Sequence, residues 1–180
     1  MKKIVRWGIL GIATVSLGMW FLTTERCSLL QVGDVAPDCI GNDQDGRKVD
    51  IRQFRGTKDV VLFFYPKDFT QGCTTEACTF RDQFDSLTGS GAVIVGISSD
   101  DTLSHHRFSS AYNLPYHLLS DRNGIIGKRY GVLWLGGILP WFKRVTYVID
   151  KKGMIRGVFR HEFNVSQHVE DVLACLRTTG

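Results

Sequence analysis

Proline is scarce in this chain, four residues in 180, and no segment repeats itself or drifts into a biased composition. Disordered and collagen-like chains are thereby excluded. A surplus of charge is also missing where it would matter. The formal net charge is +4, but Lys2, Lys3, Arg6 and Arg26 against Glu25 place +3 of it in the first 26 residues. The other 154 residues carry 18 basic and 17 acidic side chains, so a nucleic-acid footprint on the folded part has no support. Absent too are a Cys-x2-Cys pair and Cys/His pairs at metal-ligand spacing. His105-His106 has no such partner and reads as solvated helix surface. No metal and no cofactor are expected. What is present, 43% hydrophobic and 22% charged residues, suits one sizeable core and not a many-span membrane protein.

One uncharged run stands apart. Residues 7–22 follow the basic N-terminus without a charge, and Thr23 and Thr24 prolong the run. Eighteen helical residues would reach roughly 27 Å, close to a bilayer core. Trp7 and Trp20 stand near its ends, where interfacial aromatics are favoured. The positive flank predicts a cytoplasmic N-terminus and an exported remainder. Thr23-Thr24-Glu25-Arg26-Cys27 offers no small-x-small cleavage site, so of two competing readings of residues 1–26, a retained signal-anchor is favoured over a cleaved signal peptide. The expectation is a domain over residues 32–178, tethered to a membrane through residues 7–24. It would face the periplasm or another extracytoplasmic space, and would be secreted if the leader were cleaved.

Behind the leader, strand and helix patterns alternate. Residues 39–50 read as a hairpin around Gln44-Asp45-Gly46. Val60-Val61-Leu62-Phe63-Phe64-Tyr65 is a continuous β-branched and aromatic run, the signature of a strand buried on both faces. Pro66 ends it. A helix fits residues 73–87, with Ala77, Phe80, Phe84 and Leu87 on one face. Residues 92–97 form a second buried strand, and Asp100 or Asp101 can cap a helix through Tyr112. A short strand over 116–119 and a short helix over 124–130 follow. Residues 145–149 and 154–159 flank Asp150-Lys151-Lys152-Gly153 as a second hairpin, and a closing amphipathic helix covers 166–176. The class is α/β, a mixed sheet sandwiched by helices.

The chemistry concentrates between the first buried strand and the helix after it. Cys73 falls in the first helical turn, where unpaired backbone N–H groups and the helix dipole favour a thiolate. Thr70 lies three residues earlier, with its hydroxyl in reach of the sulfur or of an oxygen bound to it. Pro66 removes a donor and stiffens the exit from the strand. A lone buried cysteine is ordinarily inert packing, so Cys73 by itself would carry little.

Pro66-x3-Thr70-x2-Cys73 resembles the active-site loop of the peroxiredoxins. With Tyr65-Pro66-Lys67-Asp68 before it and Gly72-Cys73-Thr74-x-Glu76-Ala77-Cys78-x-Phe80-Arg81-Asp82 after it, the string is similar to the peroxiredoxin Q branch, also called bacterioferritin comigratory protein. The resemblance extends from Val32-Gly33-Asp34-x-Ala36-Pro37-Asp38 to the last helix and takes in Arg144-Val-Thr-Tyr-Val-Ile-Asp150. It implies a thioredoxin-like fold, a central mixed β-sheet flanked by helices. It also implies reduction of hydrogen peroxide and organic hydroperoxides, with thioredoxin or a similar dithiol as donor. By that likeness Cys73 is peroxidatic and passes through a sulfenic acid, and Arg144 stabilises the thiolate and the departing oxygen. Thr70 holds the peroxide, Pro66 limits water around the sulfur, and Cys78 resolves the intermediate as a disulfide with Cys73. On a continuous helix the Cys73 and Cys78 Cα atoms lie roughly 8.6 Å apart, beyond disulfide reach, so that step requires the first turns to unwind. The branch implies a monomer, with a dimer left open by Cys27 and an apolar segment.

That segment, residues 131–142, is unusually apolar for a loop. It reads as a cover over the sheet, or more sharply as a membrane-facing or partner-docking patch through Trp134 and Leu135. Gln71 stands where the branch usually has proline, and Phe69 where an acidic or small residue is common. Cys39 and Cys175 read as packing. Two other functions compete. A membrane-tethered thiol–disulfide oxidoreductase would want Cys-x2-Cys, and a copper chaperone on the same fold would want Cys-x3-Cys with a histidine ligand such as His161 or His168. The Cys-x4-Cys spacing here fits neither.

Overall fold

The computed structural model describes residues 28–134, 141–160 and 165–178. The leader, Cys27, Leu135 and His161 lie outside them, so the signal-anchor expected over residues 1–26 falls outside the described residues. Among the described residues, no helix is long and apolar enough to cross a membrane.

The expected first hairpin forms from β1 (Ile40–Asn42) and β2 (Lys48–Asp50), paired antiparallel. Asp43 closes its turn by accepting the Asp45 and Arg47 backbone N–H groups at 3.0 and 2.8 Å. The apolar run after Asp59 becomes β3 (Asp59–Phe64), buried at every residue. Strand alternation sends Val61 and Phe63 to one face and Val60, Leu62 and Phe64 to the other. A strand like this needs cover on both sides. It pairs in parallel with β4 (Ala92–Ser98) and antiparallel with β6 (Val145–Ile149). With β5 (His117–Ser120) and β7 (Ile155–Phe159), the seven-stranded mixed sheet runs β2-β1-β5-β4-β3-β6-β7. Gly96 on β4 admits the Phe63 ring, since a Cβ there would meet it at 2.6 Å.

Helices α1 (Gln71–Asp82), α2 (Phe84–Gly89), α3 (Thr102–Tyr112) and α5 (Val165–Arg177) cover one face. Ala77, Phe80, Leu87, Phe108, Val169 and Val172 pack there onto Val61, Phe63 and Val148. The other face is closed by α4 (Ile125–Arg129), a 3-10 turn (Ile51–Phe54) and Tyr130, Val132, Leu133 and Phe142. Asp101 caps α3 by accepting the Ser104 N–H at 2.8 Å.

The structure departs from two expectations. The helix expected over 73–87 is two helices: α1 begins at Gln71, and Gln83 (φ −103°, ψ 12°) leaves helical geometry between α1 and α2. No proline or glycine marks this break, so the apolar spacing ran through it. The doublet His105-His106 is not all surface. His106 is exposed, but His105 is fully buried, on the same side of α3 as Phe108. For the 131–142 segment, Leu133 and Phe142 bridge and pack into the core, whereas Trp134 and Trp141 are exposed.

Asp121, buried beyond the end of β5, accepts the Gly127 N–H in the first turn of α4 at 2.8 Å. Burial pushes its carboxyl above the ordinary value of 3.8, and backbone hydrogen bonds from Gly127, Ile126 and Ile125 only partly oppose this. A carboxyl raised in the folded state holds its proton more tightly there than in the unfolded chain. Its ionisation therefore costs stability as pH climbs from the ordinary value through the raised one. Relative to the parent protein, Asp121→Asn should gain stability across that window and level off above it. Thermal unfolding of both proteins from about pH 3 to 7 measures the difference, and a pH-independent difference would contradict the assignment.

Candidate active site

The site is built where β3 hands the chain to α1. Thr70 has extended backbone (φ −80°, ψ 147°) and is the N-cap residue of α1, yet its side chain does not cap the helix. Its hydroxyl donates instead to the Lys67 carbonyl at 3.1 Å. The first-turn N–H groups around Cys73 thus have no side-chain cap, which leaves the positive end of the helix facing the sulfur. Cys73 is the third residue of α1 and is 2% exposed.

Sheet register brings the arginine. Phe64 on β3 lies opposite Val145 on β6, so Arg144, one residue before β6, stands beside the point where β3 ends. Its Nη2 donates to Cys73 Sγ at 3.5 Å, and its Nη1 donates to Glu76 Oε2. The guanidinium is itself buried. Burial weighs most on it and opposes the charge, but Glu76 and then Cys73 outweigh that cost and hold its proton more firmly than usual. Gly72 makes the approach feasible: a Cβ there would lie 3.1 Å from Arg144 Nη2.

Of the residues expected from sequence, Cys73 and Arg144 are in contact and Thr70 opens the same helix. Pro66 is half-buried where the chain leaves β3, and Cys78 is half-buried further along α1, a free thiol like Cys73. Tyr116 Oη donates to the Ala77 carbonyl at 2.8 Å, and Arg81 Nη1 donates to the Tyr112 carbonyl at 2.9 Å, which tethers the second half of α1. Phe69 adopts a left-handed backbone (φ 59°), half-exposed, its ring edge-on to Phe108 at 5.1 Å. Gln71 is exposed at the start of α1.

Glu76 was missed as a site residue. The available signal was a carboxylate one helical turn after Cys73 on a face otherwise made by Ala77 and Phe80, a place that demands a buried cation. Cys39 is buried, and burial pushes its thiol far up; the half-buried Cys175 is raised for the same reason. His168, considered as a copper ligand, is buried against Thr146 Oγ1 at 2.9 Å. Among the described residues no group of three or more His, Cys, Asp or Glu is placed to hold a metal ion.

A thiol sheltered from water, aligned with a helix start and touched by a fixed cation suits redox chemistry at sulfur, and the class is that of the thiol peroxidases. The sequence model described as the AhpC/TSA family matches residues 32–158. Over 152 residues the chain is 41% identical to chloroplastic peroxiredoxin Q of Triticum aestivum, which covers 84% of this chain and 69% of that one. Peroxidoxin BcpB of Mycobacterium tuberculosis superposes with a TM-score of 0.79 at 36% identity, over 84% of this chain and 99% of that one. The bacterioferritin comigratory protein of Xanthomonas campestris, studied for its alkyl peroxide reduction activity, superposes at 0.73 with 26% identity, over 84% and 98% of the two chains. The chain belongs to the AhpC/TSA family, in its peroxiredoxin Q branch, with a thioredoxin-like fold.

These findings correct the placement expected from the leader. The relative from Triticum aestivum is a chloroplastic protein by name, which contradicts a membrane-anchored domain exported to an extracytoplasmic space. Hydropathy and flanking charge at residues 1–26 carried that expectation, and neither reads the folded domain.

Two substitutions test the site's electrostatics. Glu76→Ala strips a buried guanidinium of its carboxylate and should cost about 3–5 kcal/mol of stability, with Glu76→Gln costing clearly less because an acceptor remains; denaturant unfolding compares them. Gly72→Ala should displace Arg144 and slow reaction with peroxide by about tenfold while shifting the unfolding midpoint little. Unchanged stopped-flow kinetics for Gly72→Ala would show that the Arg144–Cys73 approach is not rate-determining.

Proposed function

We propose that Cys73 reduces hydrogen peroxide and organic hydroperoxides, with Cys78 as resolving cysteine of the same subunit and thioredoxin or a similar dithiol as reductant. The observation that carries this reading is Arg144 Nη2 at 3.5 Å from Cys73 Sγ, on a helix start that no side chain caps. The Cys73 thiolate attacks one peroxide oxygen. The S–O bond forms as the O–O bond breaks, and the departing oxygen leaves as water or alcohol after taking a proton. Arg144 offsets negative charge that moves from sulfur to that oxygen. The Thr70 hydroxyl holds the peroxide, and Pro66 keeps water away from the sulfur. The Cys78 thiol then attacks the sulfenic sulfur, releasing water and forming the disulfide, which the external dithiol reduces by exchange.

Residues 32–178 carry all of these groups, and the unit acts as a monomer. The alkyl peroxide reduction reported for the Xanthomonas relative supports organic hydroperoxides as substrates. The second step needs α1 to open between its start and its Tyr116 and Arg81 tethers, so the protein alternates between a helical reduced form and a locally unfolded oxidised one.

Peroxide consumption coupled to thioredoxin and its reductase tests the assignment. Cys73→Ser should fall to the uncatalysed level. Cys78→Ser should consume a single equivalent of peroxide and then stop until a small thiol is added. Turnover by Cys73→Ser at the parent rate would end the reading, and full thioredoxin-coupled turnover by Cys78→Ser would end the role of Cys78.

A further inference from the structure

Beneath the loop that precedes Cys73 lies a buried polar cluster that the proposed mechanism does not use. Asp68, 4% exposed, sits in that loop. Its carboxylate accepts from Tyr65 Oη at the end of β3 (2.8 Å), and from Ser104 Oγ (2.7 Å) on α3. His105 Nδ1, also on α3, lies 2.9 Å from Asp68 Oδ2. The Asp68 backbone N–H donates to Asp100 Oδ2 at 2.8 Å, an oxygen that also accepts from Ser98 Oγ at 2.6 Å. On its far side, His105 Nε2 lies 3.2 Å from the Leu119 carbonyl oxygen of β5. One loop residue is thereby tied to β3, α3 and, through His105, β5.

The donors and acceptors of this cluster fix where its hydrogens lie. A carbonyl oxygen can only accept, so Nε2 of His105 carries a hydrogen. The 2.9 Å contact between Nδ1 and the carboxylate needs a second one, placed on Nδ1 as an imidazolium or on the carboxyl oxygen. Either way one proton is shared between Asp68 and His105, and the pair is neutral as a unit, the condition under which such groups can be buried without large cost. Without that proton, one ring nitrogen would face an acceptor lone pair to lone pair.

We propose that Asp68 and His105 are positioning residues for the peroxide step: a proton-sharing pair that fixes the loop over residues 66–70 and so sets Cys73 against Arg144. The intervening backbone shows how firmly the loop is held. Phe69, directly after Asp68 and directly before the N-cap Thr70, keeps a left-handed φ of 59°. A residue with a Cβ adopts that conformation only when its surroundings over-determine it. The Asp68 cluster on one side and the Phe69 ring against Phe108 on the other supply that constraint. Released from Asp68, the loop would relax and carry the start of α1 with it. The pair lies outside the segment between Cys73 and Cys78, so it acts on the first chemical step and stays in place during the second.

This inference rests on Cys73 being the reacting thiol, and its test is arranged to tell the two apart. In the full chain, stopped-flow fluorescence and quenched-flow thiol counting separate the second-order reaction with hydrogen peroxide from the later Cys73–Cys78 disulfide step. Asp68→Ala should slow the peroxide step by at least about tenfold and leave the disulfide step within about threefold. Asp68→Asn should recover most of that loss, because its amide can donate to a neutral His105 that still donates to Leu119. If Asp68→Ala does not fold, His105→Gln, which removes the shared proton, is read in the same way. A parent-like peroxide step in a folded Asp68→Ala or His105→Gln protein overturns the proposal. So does an equal slowing of both steps in proportion to lost stability, or an Asp68→Asn protein as slow as Asp68→Ala. Parent-rate turnover by Cys73→Ser would instead remove the reading beneath it.

Discussion

The contact between the Arg144 guanidinium and the Cys73 sulfur is the constraint around which this fold is arranged. A cation that is 6% exposed is unstable by itself in a protein interior, and each neighbouring feature makes it tolerable. Glu76 supplies the countercharge from the same helix as the thiol. Gly72 withholds a side chain where the guanidinium must pass. Antiparallel pairing of β3 with β6 delivers Arg144 to the end of β3, and parallel pairing of β3 with β4 leaves the exit of β3 at the edge where α1 begins. The sheet is thus less a container for the site than the device that fixes the distance between two residues 71 positions apart.

Much of the frame was legible from local pattern. A strand buried on both faces must be a continuous apolar run, and 60–65 is one. The Asp150–Gly153 turn announces itself because Asp150 accepts the Lys152 and Met154 N–H groups and Gly153 takes a positive φ. What pattern could not carry was pairing over distance. Glu76 and Arg144 lie 68 residues apart, and a charge on an apolar helix face says that a partner exists without saying which. His105 was misread for a related reason. Two adjacent histidines look alike in sequence, but successive helix residues are turned about 100° from each other, so one entered the core and the other met solvent. The break at Gln83 left no compositional trace.

The two ends of the active-site segment are held by unlike means. On the N-terminal side a single loop residue is bound through its side chain to several elements. On the C-terminal side α1 is held through its backbone and its Arg81 side chain, by Tyr116 on the Ala77 carbonyl and by Arg81 on the Tyr112 carbonyl. The anchors meet the same need, keeping a short reactive stretch rigid without drawing its side chains into capping the helix. Thr70 illustrates the point: its hydroxyl bonds back into the loop and not to the helix it begins.

The Tyr116 tether has a consequence for recognition. Any opening of α1 that spares this hydrogen bond is confined to about two turns at one corner of the molecule and breaks no strand pairing. The oxidised and reduced proteins would then share nearly all of their surface and differ only at that corner. An electron donor that grips the corner could tell spent from fresh enzyme by shape alone, without sensing the sulfur atoms, and would release its partner as the helix rewinds.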